Sequence, residues 1–144
     1  MIAAIRIKGL VDIPRDSKRT MDLLGIRKKY SCILLQETPE IKGMLKKVGG
    51  YIAYGEANKE TIKNLIMKRG RMQGDKPIKA DEEKIEKITE DLLSNKINLK
   101  NLKIKPFFRL HPPRGGFKKS TRLMYPKGIL GKNDKINEII MRML

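Results

Sequence analysis

Few residues in this 144-residue chain suit bond-making chemistry. His111 is the single histidine and Cys32 the single cysteine. A general base needs a neighbour to orient or charge it, and the run from Leu92 to Asn133 contains no Asp or Glu to do so. His111 therefore reads as a residue that stacks on or hydrogen-bonds to a ligand, or that packs between prolines in a loop. Cys32 lies in the apolar run Ser31-Cys-Ile-Leu-Leu-Gln36 and reads as a small core residue. One cysteine allows neither an internal disulfide nor a cysteine-rich zinc site. Gly70-x-x-x-Gly74 with Asp75-Lys76-Pro77 resembles a phosphate loop only superficially. It lacks the four-residue spacer and the Gly-Lys-Ser/Thr ending that would cradle a nucleotide. A structured turn is the better reading, with Lys68, Arg69 and Arg71 available to phosphates. No catalytic residue, metal or cofactor is expected.

The chemistry that the sequence does advertise is charge. Thirty-three Lys and Arg against sixteen Asp and Glu give +17 and a pI near 10.1. Self-repulsion of that size opposes compaction, and a polyanionic partner relieves it. The charge is also unevenly distributed. Eleven Lys or Arg fall between Leu92 and Asn133, whereas six of the sixteen acids lie between Asp81 and Asp91. The basic tract holds Phe107-Phe-Arg-Leu-His-Pro-Pro-Arg-Gly-Gly-Phe117 followed by Lys118-Lys119. Arg109, Arg114 and Arg122 offer guanidinium forks to phosphates. Phe107, Phe108, Phe117 and Tyr125 offer rings to unstacked bases, the usual route to irregular RNA, although some must anchor the tract to the core. A second basic group, Arg15, Lys18 and Arg19 with Arg27, Lys28 and Lys29, is interspersed with Asp12, Asp16 and Asp22. It reads as a phosphate grip or as an ordinary solvated face.

Alternating elements must position these cations. Ile2–Ile7 predicts a strand, Asp16 a capped helix to Leu24 stopped by Gly25, and Ser31–Gln36 a buried strand. Thr38-Pro39 opens a helix carrying Ile41, Met44, Leu45 and Val48, and Tyr51–Tyr54 makes a third strand. This is βαβαβ, an α+β, ferredoxin-like split-βαβ pattern with both helices on one sheet face. Asn58 predicts a helix to Arg69, Asp81-Glu-Glu a helix carrying Ile85, Ile88 and Leu92, and Asn133 a last helix carrying Ile136, Ile139, Ile140 and Met143. Residues 1–57 are thus expected to form the core, with 58–144 a helical and extended basic C-terminal extension packed on it. The acidic helix is expected to face solvent or the protein's own cations. Residues 95–131 read as largely non-helical, and 103–128 as mobile until RNA orders them.

Pro14-Arg-Asp16, Leu24-Gly-Ile-Arg-Lys28, Thr38-Pro39, Gly43-Met44 and Val48 resemble the core of the large-subunit ribosomal protein L-thirty family. Arg71-Met-Gln-Gly-Asp-Lys-Pro77, Phe108–Phe117 and Tyr125-Pro-Lys-Gly128 are similar to the extension of its archaeal branch, whose eukaryotic counterpart is called L-seven. With the first strand at Ile2, the long basic N-terminal segment of the eukaryotic form is not expected. The resemblance implies a non-enzymatic, rRNA-binding ribonucleoprotein component of the large subunit. Its implied partners are 23S-type rRNA, 5S rRNA nearby and neighbouring ribosomal proteins. It implies RNA contacts at Arg15, Lys18, Arg19, Arg27 and Lys28 in the core, and at Arg109, His111, Arg114, Lys118, Lys119, Arg122 and Lys127 in the extension. Thr121 and Leu123-Met124 stand where the family's familiar residues are basic or small.

Two other readings use the same fold as a platform: an RNA-processing or modifying enzyme, and a free RNA-binding regulator. The first lacks a cluster of His, Cys or carboxylates, and the second would not prefer folded rRNA. Met1-Ile-Ala-Ala-Ile is followed at once by Arg6 and Lys8, unlike a secretory signal, and no apolar run approaches the ~20 residues of a membrane span. A cytoplasmic, ribosomal protein without membrane or small-molecule partners is expected.

Overall fold

A computed structural model describes residues 1–9, 11–78, 82–94, 99 and 101–144. The chain runs β1 (Ile2–Arg6), α1 (Arg15–Leu24), β2 (Ser31–Leu35), α2 (Pro39–Val48), β3 (Ile52–Glu56), α3 (Lys59–Arg69) and α4 (Glu82–Leu93). It continues through β4 (Phe107–Arg109), β5 (Ser120–Met124), β6 (Gly128–Lys132) and α5 (Ile136–Met143). The strands join one mixed sheet in the order β4-β2-β1-β3-β6-β5. Central β1 is antiparallel to both β2 and β3, pairing Ala3 with Leu34 on one side and with Gly55 on the other.

Every β1 residue is buried because helices cover both sheet faces. Alternate side chains of a strand point to opposite faces. Ile2 and Ala4 accordingly pack with Met21 and Leu24 of α1 and Leu45 and Val48 of α2. Ala3 and Ile5 instead meet α3 (Ile62, Leu65, Ile66), α4 (Ile85, Leu92) and α5 (Ile136, Ile140). Helix α5 comes down directly on β3. A Cβ at Gly55 would sit 2.4 Å from the Asn133 carbonyl and 2.9 Å from Ile136 Cγ2, so only glycine admits this approach. Asn137 clasps the same turn, its Oδ1 accepting from the Asn58 N–H and its Nδ2 donating to the Glu56 carbonyl.

Several helix starts differ from the sequence expectation. Helix α1 begins at Arg15 after Pro14, and Asp16 lies in its first turn, where a carboxylate complements the helix dipole without capping a backbone N–H. Thr38 does cap α2, accepting from the Ile41 N–H at 3.3 Å, with Pro39 following. Asn58 is the α3 N-cap residue but makes no side-chain cap bond. Asn133 precedes α5, its Oδ1 accepting from the Lys135 N–H at 2.9 Å, and the helix starts at Ile136. Asp81, expected to open α4, lies outside the described residues, as do Lys96 and Lys100 of the basic tract.

The basic tract supplies strands to the sheet. Its residues 107–109 form β4 on the β2 edge, and 128–132 form β6 beside β3. Phe108 pairs with Cys32 and is fully buried, with Leu110, Pro113, Ile129 and Leu130 buried as well. The absence of acids concealed enough apolar residues to complete the sheet.

The acidic helix meets the protein's own cations. Glu86 accepts from Lys63 at 2.6 Å and Glu90 from Lys59 at 2.7 Å, fastening α4 along α3 one turn apart. The Lys63 ammonium holds the Glu86 carboxyl below its usual range, and Glu86 raises Lys63 in turn.

One buried charge fixes the loops at the end of β1. Arg6 is 1% exposed, and its guanidinium donates to four main-chain carbonyls. These are Lys8 (3.0 Å), Gly9 (2.8 Å), Ile26 (3.1 Å) and Arg27 (2.7 Å). Burial lowers its pKa from the ordinary arginine value, partly offset by Asp22.

Two outcomes follow from these contacts. Glu86 is depressed in the folded state, so its contribution is present above the unfolded carboxylate pKa and lost as pH falls through the lower folded one. Amide-exchange protection of α4 should therefore weaken below about pH 4, and Glu86→Gln should remove that dependence. Unchanged α4 protection across the acid range would contradict it. Arg6→Met should lower urea-unfolding stability by about 3 kcal/mol, since charge-assisted bonds to buried carbonyls are lost together. A change below about 0.5 kcal/mol, the range of an ordinary surface substitution, would contradict it.

Candidate nucleic-acid interface

The loop from Gly25 to Tyr30 carries Arg27, Lys28 and Lys29, all exposed. Arg6 holds the carbonyls of Ile26 and Arg27, so the backbone is fixed while the cationic side chains stay outside. Arg27 lies 3.9 Å from Asp22, a long and solvated ion pair that leaves the guanidinium available. At the loop's end Tyr30 takes a left-handed conformation, φ 62°, uncommon for an aromatic residue. Two main-chain bonds enforce it: the Tyr30 N–H donates to the Arg6 carbonyl at 2.8 Å, and its carbonyl accepts from the Leu110 N–H at 3.0 Å.

Tyr30 is also where the two basic groups meet. Its ring lies 6.3 Å from that of Phe117, centroid to centroid, and the Lys29 ammonium sits 4.9 Å over it. The loop bearing Arg27 and Lys28 and the segment bearing Arg109, His111 and Arg114 are thereby joined into one surface. That segment is fastened from below by α5. The His111 N–H donates to the Met143 carbonyl, the Arg114 N–H to the Arg142 carbonyl, and the Arg142 guanidinium returns bonds to the carbonyls of Arg114 and Gly116. Gly115 and Gly116 both have φ near +70°, a conformation in which side chains are strained, and they turn the exposed chain back toward Phe117. His111 and Arg114 project outward from this anchored loop.

The remaining residues are placed elsewhere. Arg15, Lys18 and Arg19 are exposed on α1 at helical spacing, opposite its buried Thr20, Met21 and Leu24. Arg122 lies on β5, which occupies the sheet edge opposite Arg109 on β4. Five inter-strand steps separate those edges, roughly 24 Å at the usual spacing. Lys118, Lys119 and Lys127 belong with the β5 side: Lys119 donates to the Pro126 carbonyl at 2.8 Å and lies 5.1 Å over the Tyr125 ring. The sequence-derived residues therefore form a band across the molecule rather than one pocket. Met124, exposed by half, places its Cε beside Gly49 and Gly131 and so helps to seat β5.

The aromatics divide in the same way. Phe108 fills the core and cannot stack on a base, whereas Phe107, Phe117 and Tyr125 are half-exposed. Cys32 is buried and its thiol is pushed up to about 12, far from the thiolate a nucleophile needs. Among the described residues, no three His, Cys, Asp or Glu side chains gather as metal ligands, and no helix is long and apolar enough to cross a membrane. Sequence reasoning did not identify Arg6 or Tyr30 as the residues that position the interface. The only available signal was an arginine inside an apolar strand.

Two comparisons with known proteins bear on the chain's family. Residues 2–52, which span β1 to the start of β3, match the family model described as "Ribosomal protein L30p/L7e". Over the full length the chain is similar to proteins named "Large ribosomal subunit protein uL30". The one from Archaeoglobus fulgidus is 39% identical, over 99% of both chains. That from Aeropyrum pernix is 40% identical over 100% of this chain and 99% of its own, and that from Staphylothermus marinus 42% over 100% and 98%. With relatives this similar over essentially its whole length, and so over every strand of the sheet that presents these cations, the chain belongs to the ribosomal protein L30p/L7e family.

Proposed function

We propose that this protein is a structural, non-enzymatic constituent of the large ribosomal subunit, acting in the cytoplasm as an rRNA-binding element of the translation machinery. The observation that carries the reading is similarity along essentially the whole chain to archaeal uL30 proteins. The order β2-β1-β3, with α2 linking two parallel strands across β1, supports a ferredoxin-like split-βαβ core over residues 1–57. Residues 58–144 are its RNA-binding extension, supplying β4 to one side of that core and β6 to the other.

The partners of this reading are 23S-type rRNA, 5S rRNA nearby and adjoining large-subunit proteins. Arg27, Lys28, Arg109, His111 and Arg114 would act as one group around Tyr30. Lys118, Lys119, Arg122 and Lys127 would form a second around β5, with Arg15, Lys18 and Arg19 a third on α1. Cations spaced this widely suit separate RNA elements, held at a fixed distance by a rigid sheet. The mechanism is counterion release together with shape recognition: phosphates position the protein, and half-exposed rings meet unstacked bases.

The test is the salt dependence of binding to a folded 23S-type rRNA transcript. If about eight phosphates are engaged, log affinity should fall against log salt with a slope near −6 to −7. A slope near −1 would contradict the reading, as would equal affinity for duplex DNA.

A further inference from the structure

On the β4 side lies a cleft of about 270 Å³ lined by Arg69, Arg71, Asp75, Lys105, Phe107 and Arg109. Of these, only Phe107 and Arg109 belong to the interface described above. Four cations face one carboxylate, a local excess of three positive charges beside the half-exposed Phe107 ring. The residues come from α3, the turn after it, the strand-like residues before β4, and β4 itself, so the cleft exists only in the folded chain.

The geometry is built rather than fortuitous. Residues 71–77 fold back on themselves, the Met72 N–H donating to the Lys76 carbonyl at 2.9 Å and Arg71 Nη1 to the Asp75 carbonyl at 3.2 Å. This turn docks on residues 103–105: the Lys105 N–H donates to the Arg71 carbonyl at 2.8 Å and the Gln73 N–H to the Lys103 carbonyl at 3.1 Å. Arg71 and Lys105 are thus fixed at backbone level. Arg109 is oriented by Phe107, its guanidinium carbon 5.9 Å from the ring centroid. Arg69 is tied by its Nη2 to the Leu144 carbonyl at 2.9 Å, while its Nε is buried without an acceptor among the described residues. A buried donor left without a partner costs free energy.

Asp75 indicates what the cleft favours. Its carboxylate accepts from Lys105 Nζ at 2.5 Å, and Lys105 first, then Arg109 and Arg71, hold it below the usual carboxylate range. An oxyanion is already stabilised there, and it neutralises only one of the four cations. We propose that this cleft is a binding site for a single phosphate group of the RNA backbone, gripped jointly by Arg71 and Arg109 beside the Asp75–Lys105 pair. Arg69 supplies further positive charge at the cleft wall, and Asp75 holds Lys105 beside the guanidinium groups against their mutual repulsion. The inference rests on the rRNA-binding reading and adds to it a defined phosphate seat that the composition of the 103–127 tract does not reveal.

The experiment uses the full chain with the same rRNA transcript and compares salt slopes for Arg71→Met, Arg109→Met, the double variant and a control, Lys47→Met on α2. Two guanidinium groups on one phosphate release one set of counterions, so each single variant should flatten the slope by about 0.7–0.9 and the double no further. Variants that behave like the control, while wild type binds tightly, would overturn the cleft and leave the ribosomal reading intact. Additive loss of two increments would also overturn it, because the arginines would then hold separate phosphates. Wild type that binds no rRNA at any salt would overturn the ribosomal reading itself, and the inference with it. A parallel NMR titration follows the Arg69 Nε–H signal with transcript and with inorganic phosphate. A shift with RNA is expected; a shift with inorganic phosphate alone would mark a free-anion site and contradict the proposal.

Discussion

The structure depends on a single buried cation at the end of β1. Among the described residues no carboxylate forms an ion pair with Arg6; its charge is satisfied by carbonyls from two loops that would otherwise leave the sheet independently. A guanidinium suits this task because its donors lie in a fixed plane and spread in several directions, whereas an ammonium would concentrate its donors at one point. The Arg6 carbonyl then receives the Tyr30 N–H, and the Tyr30 carbonyl receives the Leu110 N–H. One strand terminus is linked in this way to the α1–β2 loop and to the basic segment more than a hundred residues further along the chain.

This arrangement accounts for how so basic a chain folds with its cations exposed. Acids that would compete for the basic tract are committed to α3, as Glu86 and Glu90 are, and Asp75 takes one cation of the tract, Lys105. The tract itself is anchored by apolar residues, Phe108 and Leu110 at one end and Ile129 and Leu130 at the other. Arg109, Arg114, Lys118, Lys119, Arg122 and Lys127 therefore remain on the surface as a spaced array. For a ribosomal protein this division is functional. The apolar half of the tract sets distances, and in the proposed role the cationic half is left for phosphates to complete.

Much of the fold was legible in short-range signals. Thr38-Pro39 marked α2, Gly25 the end of α1, and the apolar run at Ser31–Leu35 the strand β2, because capping and burial leave their residue types in place locally. What escaped was non-local. Strand β4 has three residues, too few for a period-two pattern to be read, and it exists because Phe108 pairs with Cys32 seventy-six positions earlier. Arg6 lay inside the expected strand but was not read as buried, since arginines are seldom wholly buried. For the candidate interface, composition pointed to the cations, but it could not reveal that Arg109 and Arg122 lie at opposite sheet edges. Nor could it show that Phe108 is core while Phe107 is half-exposed. Asp75 and Lys105, thirty residues apart in sequence, likewise gave no sign of forming one cleft.

The central claim is that the protein is an intimate structural part of the large subunit rather than a surface visitor. The most direct measurement is sedimentation of a cell lysate through sucrose gradients before and after a high-salt wash, following this chain and the large-subunit rRNA together. The account predicts that the protein stays with the large subunit after the wash, because widely spaced contacts on a rigid sheet must release together. Recovery of the chain at the top of the gradient, with large subunits otherwise intact, would contradict it.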